Sequence, residues 1–562
     1  MLRIPRNDGM VGLLLPSSIS SLFFQQDVSP TTHCIDMVVN SAGVCYPFIK
    51  TQRQGVNIIM TEQQFLEFFR KQVNDGLKLW DSPSVAVGIL KDGRVVLCEG
   101  FGKRNLENNL PATKDSLYQI GSCTKAFTAA LVAILVDQGK LSWDEPLIKY
   151  LPEIRFYEDY TTSNVTLRDL LSHRSGLPRH EYSWYGSNFT KEELMFNLRY
   201  LEPNEPIRTK FQYNNYGYML AGYAVERITG KTWEDCVQTY LLDPLGMNRS
   251  NMFVDAITAD ADHAEPYDRT DPAADMMKGM RRIPHFKMPH EDYRSGKGSP
   301  AGPAATVCSC AEEMLKWVAL HLNGGEFEGK QIISKESMAQ MHKPNMLLPG
   351  LMDMPHEETK MPAYGMGWFV ENYRGYTLVE HGGNLDGFSA YTSFLPELKL
   401  GVVVYTNMNV SQLPVALAKE VYDFYMGVES GNWVKRYHEH LTEQSKARFD
   451  LTTQIAGKRT EGTAPSHPLE AYTGTYTREG YTPAEVRLEN GKLYMKFIDA
   501  DTELKHYHYD TFTTSDLMGG GEVPPGLPVS FRTADFKETV ETLVMKLCFE
   551  AGAAPIRFQK KT

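Results

Sequence analysis

Strand-forming segments bracket a long helical stretch in this chain, and that arrangement limits the fold more than any other feature. Residues 84–90 (SVAVGIL) and 94–102 (RVVLCEGFG) flank Asp92-Gly93, an Asp-Gly turn between β-rich runs and thus a hairpin signal. Strand patterns return only at 364–370, followed by 376–380, 388–395 and 401–406. Between the two sets lie helical patterns at 122–138 (rich in Ala and Leu and closed by Gly139), 165–173, 216–229 (with Gly230 as C-cap) and 311–322. A further helix is expected at 413–425. Strands at both ends of one unit with helices between them predict an α/β layered fold, an antiparallel sheet packed with helices and an all-helical subdomain.

The chain has 562 residues, too many for one ordinary core. Residues 433–455 read as a polar helix and 456–468 as a Gly/Thr/Ser/Pro linker without periodicity. Beyond it the pattern is all β, with alternation at 484–488, an Asn490-Gly491 turn, and further runs at 492–497 and 540–549, which predicts a small all-β barrel or sandwich. The domains expected are an extension over 1–59, poorly ordered; a catalytic unit over 60–430; helix and linker over 431–467; and the barrel over 468–562. Arg3 and Arg6 precede an apolar stretch at 10–24 that has the outline of a secretion signal. Asp8, Pro16 and four serines break that outline, and the first clear amphipathic helix starts only after Met60, an alternative start. The expectation is a cytoplasmic protein, or a secreted or periplasmic one if the apolar stretch is a signal. No apolar run reaches the length of a membrane span. A net charge of −11 disfavours a nucleic-acid groove and an anionic membrane surface, both of which need a basic face. The eight cysteines are scattered and form no C-x-x-C pair, which fits neither a disulfide framework nor a zinc ribbon.

Three short motifs carry chemistry. Ser122-Cys123-Thr124-Lys125 opens a helix directly after Gly121 and is the only Ser-x-x-Lys in the chain. That spacing puts both side chains on one helical face, and the helix start offers free N–H groups to developing negative charge. A lysine acts as base only when neutral; lowering its pKa by about three units costs about 4 kcal/mol, which burial and positive neighbours can supply. Tyr213-Asn214-Asn215 offers a phenol to relay a proton and an amide to bond a substrate carbonyl. His381-Gly382-Gly383-Asn384 ends a strand pattern; its glycines let a ligand approach the backbone, and the N–H of Asn384 could pair with that of Ser122 as an oxyanion hole. Taken singly, each motif is as well explained by a capping serine, a turn aromatic or a polar strand-end histidine.

Their order removes that ambiguity. Ser-x-x-Lys, then Tyr-x-Asn, then His-x-Gly resembles the serine β-lactamase and penicillin-binding family, in its class C β-lactamase, D-aminopeptidase and esterase branch. Residues 170–178 (LLSHRSGLP) resemble the family's Leu-Leu-x-His-x-Ser-Gly-Leu-Pro, 211–222 its Tyr-Ser-Asn-x-Gly-Tyr-x-Leu-Leu-Gly stretch, and 299–317 its Pro-Ala-Gly-Gly…Ser-x-x-Asp-x-x-x-Trp segment. The likeness spans about 70–430, and the C-terminal part more loosely resembles the lipocalin-like domain often appended to this branch. The resemblance implies a serine hydrolase working through an acyl-enzyme: Ser122 as nucleophile, Lys125 and Tyr213 as acid/base partners, the N–H groups of Ser122 and Asn384 as oxyanion donors, Asn215 orienting the acyl amide, Gly383 giving close approach, and His381 contacting the leaving group or tuning Tyr213. It implies no metal and no organic cofactor. The substrate is expected to be a small molecule or short peptide, with self-association into a homo-oligomer left open.

Where the family has the lysine of Lys-Thr-Gly, this chain has His381. A neutral imidazole is a poorer partner for a substrate carboxylate, which points to small esters, amides or peptides rather than β-lactams. Protonating His381 towards pH 6 would then restore the charge. The alternatives are a β-lactamase or D-Ala-D-Ala carboxypeptidase-like activity, and a non-catalytic binding protein that kept the fold. Tyr182, Trp184, Tyr185 and Phe189 suit a pocket wall or plain packing equally, and the charged insertion at 262–298 suits a rim.

Overall fold

The computed structural model describes residues 33–39, 45–51, 60–269, 279–287, 298–350, 354, 356–456, 459–498, 500–514, 527–534, 539–548, 550 and 552–561. The poor order expected of 1–59 concerns residues mostly outside that set. Within it, His33–Val39 and Cys45–Thr51 pair antiparallel, Ile35 opposite Ile49, where the sequence shows no clear period. Residues 270–278 and 288–297 of the charged insertion are also outside the described residues. At its edges Tyr267–Asp268 pairs with Arg281–Arg282.

From Gln63 onward the chain is one compact unit. Its sheet has nine strands among the described residues, in the spatial order Met346–Leu347, Thr359–Tyr364, Phe369–Tyr373, Tyr376–Leu385, Phe388–Leu395, Leu400–Thr406, Ser84–Lys91, Arg94–Asn105 and Leu110–Pro111. The decisive join is Leu400–Thr406 against Ser84–Lys91, Val403 opposite Gly88, which closes the early hairpin onto the late meander. Two segments of the sheet differ from the sequence reading. The run at 364–370 is two strands around a turn, because Gly365 and Gly367 break it, Gly367 with a φ of +84°. The strand expected at 376–380 continues to Leu385, so His381–Asn384 lies within it.

Alternation along the central strand assigns the faces. Ser393 and Val402 share one side, where the Tyr422 hydroxyl of the helix Leu413–Tyr425 bonds Ser393 Oγ. Thr392, Val403 and Gly88 share the other, where Leu315 of the helix Ala311–Leu322 comes in over Gly88. His381 stands opposite Thr392 and belongs to this second side, the side of the helical subdomain. There, Thr124–Asp137 is buried along most of its length and packs with Tyr216–Thr229, whose Gly230 has the expected left-handed cap conformation.

The C-terminal part is a closed barrel of eight antiparallel strands, sealed by Tyr476 opposite Lys560. Phe497, Met495, Val529, Leu543 and Phe558 fill it. It is fastened to the segment that follows the helix Leu167–Leu171: the His180 ring bonds the Tyr481 hydroxyl at 2.7 Å, and Glu550 accepts the backbone N–H of Arg179 at 2.9 Å.

Candidate active site

Ser122 lies in a single 3-10 turn, Gly121–Cys123, that runs directly into the helix Thr124–Asp137. Two glycines bring the sheet to it. A Cβ on Gly383 would lie 1.9 Å from the Ile120 carbonyl oxygen and 3.1 Å from the Ser122 nitrogen. Gly121, at φ +51°, sits against the backbone of Asn384. The backbone of 383–384 therefore borders the serine turn, while the Asn384 side chain turns away and accepts a bond from Ser389 Oγ at 2.8 Å.

Lys125 follows one helical turn on. Its Nζ donates to Ser122 Oγ at 2.9 Å, Asn215 Oδ1 at 2.7 Å and the Ala304 carbonyl at 3.0 Å, so its three protons have three acceptors. Complete burial, with the Arg179 charge adding to it and Glu181 opposing it, brings its pKa down to about 7. At neutral pH a large fraction is thus an amine able to take the serine proton. Tyr213 lies beside them: its phenol interacts with Ser122, and Lys125 Nζ is 5.0 Å from its ring centre. Burial holds the Tyr213 pKa well above that of a free tyrosine, and the Ser122 bond and Arg179 only partly offset it. The phenol stays protonated and can act as a proton donor.

The tyrosine is held from below by His173, whose ring centre is 4.2 Å from its own. Asn214 starts the helix Tyr216–Thr229 by accepting the Gly217 N–H at 2.9 Å, and gives its amide protons to Leu177 and Gln212 carbonyls. That burial explains an asparagine at a position where the sequence alone gives no reason for one.

Two of the expected residues have polar atoms engaged within the protein. The Asn215 amide, expected to orient an acyl group, bridges Lys125 and Glu181: its Oδ1 accepts from the lysine and its Nδ2 donates one proton to Glu181 Oε1 at 2.8 Å. His381 is 2% exposed. Its Nδ1 gives a proton to the Gly382 carbonyl at 2.6 Å, and its Nε2 accepts from the Tyr364 hydroxyl at 2.9 Å. Both ring nitrogens are occupied, so the imidazole has no free atom for a leaving group. Burial, assisted by the Lys125 charge, pushes its pKa down to about 3, and lowering the pH to 6 leaves it neutral. Cys123 is buried with its thiol on the His381 carbonyl, and burial raises it to about 12.

Sequence reasoning missed Arg179 and Glu181. They follow the Leu-Leu-Ser-His-Arg-Ser-Gly-Leu-Pro stretch, and nothing in their own spacing marks them. Arg179 Nη2 bonds Glu181 Oε1 at 2.8 Å, and its guanidinium lies 5.3 Å from the Tyr213 ring centre. Of the expected aromatic wall, Tyr182 and Trp184 are buried in the core. Tyr185 stacks on Phe286 and bonds Asp386, at the end of the His381 strand. Among the described residues no cluster of His, Cys, Asp and Glu is placed to hold a metal ion, and no helix is long and apolar enough to cross a membrane.

Residues 70–423 match the Beta-lactamase family, well over half of the chain. The chain belongs to the beta-lactamase family. It is a serine hydrolase of that family, followed at residues 458–560 by a match to a domain of unknown function, DUF3471. Among curated relatives, the unguisins hydrolase ungD of Aspergillus violaceofuscus is 27% identical over 489 residues, 81% of this chain and 83% of that protein. Protein flp of Staphylococcus aureus is 24% identical over 335 residues, 59% of this chain and 61% of that one. The octameric penicillin-binding protein homologue from Pyrococcus abyssi aligns at a TM-score of 0.55 and 24% identity, over 88% of this beta-lactamase-family chain and all of its own. The D-amino acid amidase from Ochrobactrum anthropi SV3 aligns at 0.51 and 21%, over 65% of this chain and 98% of the amidase.

Proposed function

We propose that this hydrolase cleaves small amides or short peptides, and esters of similar size, through an acyl-enzyme on Ser122. One observation carries the reading: Lys125 Nζ is 2.9 Å from Ser122 Oγ in an environment that holds the lysine near a pKa of about 7. Lys125 takes the serine proton as Oγ bonds the acyl carbon. The N–H groups of Ser122 and Asn384 receive the oxyanion, each such donor contributing roughly 3–4 kcal/mol. Tyr213 delivers a proton to the departing amine or alcohol and recovers one from Lys125, so that both are back in their starting states before deacylation. Water then attacks the acyl-enzyme, releasing the acid and returning a proton to Ser122. Asn215 serves this scheme by fixing the lysine, and His381 by fixing Tyr364 beside Tyr213, where the two tyrosine rings meet edge to face with their centres 6.5 Å apart.

Amides are placed before esters because the Ochrobactrum anthropi neighbour is described as a D-amino acid amidase. Assembly into a homo-oligomer belongs to the same proposal, since the P. abyssi neighbour is described as octameric. A fluorophosphonate probe tests the core of the reading. It should label the wild-type chain once, on the peptide carrying Ser122, and leave Ser122→Ala untouched. Labelling elsewhere, or an unreactive wild type, would return the non-catalytic alternative.

A further inference from the structure

With His381 neutral and enclosed, the strand that carries a lysine in the resembled family offers this site no charge. Among the described residues, Lys125 and Arg179 flank the Tyr213 ring beside the nucleophile, at 5.0 and 5.3 Å from its centre. Lys125 is buried and gives all three protons to protein acceptors. Arg179 differs in each respect. Its side chain is 49% exposed, and among the described residues only Nη2 of its three guanidinium nitrogens has a hydrogen-bond partner.

The pair it forms with Glu181 is polarised. The Glu181 side chain is 16% exposed, and both of its oxygens are occupied, Oε1 by Asn215 and Arg179 and Oε2 by the Trp184 indole N–H at 3.2 Å. The acid is turned inward and the base outward. The barrel contributes by holding Arg179 through its backbone N–H, and the Glu550 carboxylate adds its charge near the guanidinium without a hydrogen bond to it. A guanidinium with Nε and Nη1 open presents a planar fork that fits a carboxylate.

We propose that Arg179 is the group that reads an anionic substituent on the substrate, so that the preferred acyl compounds carry a carboxylate reaching the mouth of the site. This deepens the proposed function and rests on its assignment of Ser122 as nucleophile. It also reverses what the histidine implies when the sequence is read alone. The carboxylate-binding role survives the loss of the lysine, carried by a residue on a different element.

Arylboronic acids, whose boron accepts a serine oxygen as a fourth ligand, separate the two layers. Dissociation constants of phenylboronic acid and its 3-carboxy and 4-carboxy derivatives would be measured by calorimetry on the full chain, on Arg179→Gln and on Arg179→Lys. At least one carboxylated isomer should bind wild type about tenfold tighter than phenylboronic acid, the scale of one charged hydrogen bond. Arg179→Gln should bring that ratio close to one, and Arg179→Lys should keep part of it. Phenylboronic acid itself checks that both variants fold and keep the serine site. A ratio near one in wild type, or a preference that survives in Arg179→Gln, overturns the assignment of Arg179 alone. If none of the boronates binds, the assignment of Ser122 falls and this proposal falls with it.

Discussion

Arg179→Gln and Glu181→Gln should move the acidic limb of the pH–kcat/KM profile in opposite directions. In the wild type that limb reports Lys125 losing its proton, near pH 7, with activity rising as the amine is freed. Arg179 lowers the lysine and Glu181 raises it. Removing the guanidinium therefore raises the lysine pKa, and the limb moves to higher pH. Removing the carboxylate lowers the pKa, and the limb moves to lower pH. The size follows from the shared ring: with Lys125 5.0 Å and Arg179 5.3 Å from its centre, the charges are at most about 10 Å apart, which at an effective dielectric near 20 gives about 1.7 kcal/mol. Because the arginine is half exposed, solvent screening reduces this, and a shift of about 0.5 pH unit is expected. Burial remains the larger cause, so neither variant should move the limb far from neutrality. The assay is kcat/KM for p-nitrophenyl butyrate between pH 6 and 9 at fixed ionic strength, with spontaneous hydrolysis subtracted, and repeating it in high salt should shrink the shifts. Shifts of the same sign, or no shift in either variant, would show that the limb belongs to a group other than Lys125.

Three other expectations follow from the same geometry. Tyr213→Phe should slow acylation by roughly 100-fold, the usual scale for a general acid or base, as read from single-turnover release of p-nitrophenol; an unchanged rate would make the tyrosine structural. Gly383→Ala should reduce kcat by about 100-fold with the circular dichroism spectrum retained, because the new Cβ would meet the Ile120 carbonyl and push the strand away from Ser122. For Lys125→Met the readout is stability: between about 7 and 10.5 the unfolded chain keeps a proton that the folded chain lacks, so wild type should gain about 2 kcal/mol relative to the variant from pH 7 to 9, measured by denaturant unfolding, and a gap that stays flat with pH refutes the depressed lysine.

The frame of the catalytic unit was legible because its signals are local. The Asp92-Gly93 hairpin, the helix Tyr216–Thr229 with its Gly230 cap, the helix Ala311–Leu322, and the strands Phe388–Leu395 and Leu400–Thr406 each follow from turn chemistry or periodicity inside one segment. Where a segment's limits depend on its partner, the reading slipped. Tyr376–Leu385 extends through His381-Gly382-Gly383-Asn384 because Phe388–Leu395 pairs with it along its length, and two glycines that read as a strand end are in fact paired residues. The short helix Leu167–Leu171 stops early because Arg174 turns back to bond Asp169, a contact no propensity predicts.

The site divides along the same line. Ser122 and Lys125 are bound by helical spacing, so their meeting at 2.9 Å was implied by the sequence. The charge around them was not, because it depends on which side chains burial leaves open to water. His381 carries a ring that can titrate, yet Tyr364 and Gly382 enclose it and desolvation keeps it neutral. Arg179 shows no motif, yet a barrel whose first strand, Gly474–Thr477, begins almost three hundred residues later holds its backbone and leaves its guanidinium exposed. The motif position therefore names the element facing the substrate without naming its charge. In a site where burial, assisted by the Arg179 charge, moves a lysine from 10.5 to about 7, the protonation of each group follows from what covers it, and on the proposal above substrate preference follows from the cation left uncovered.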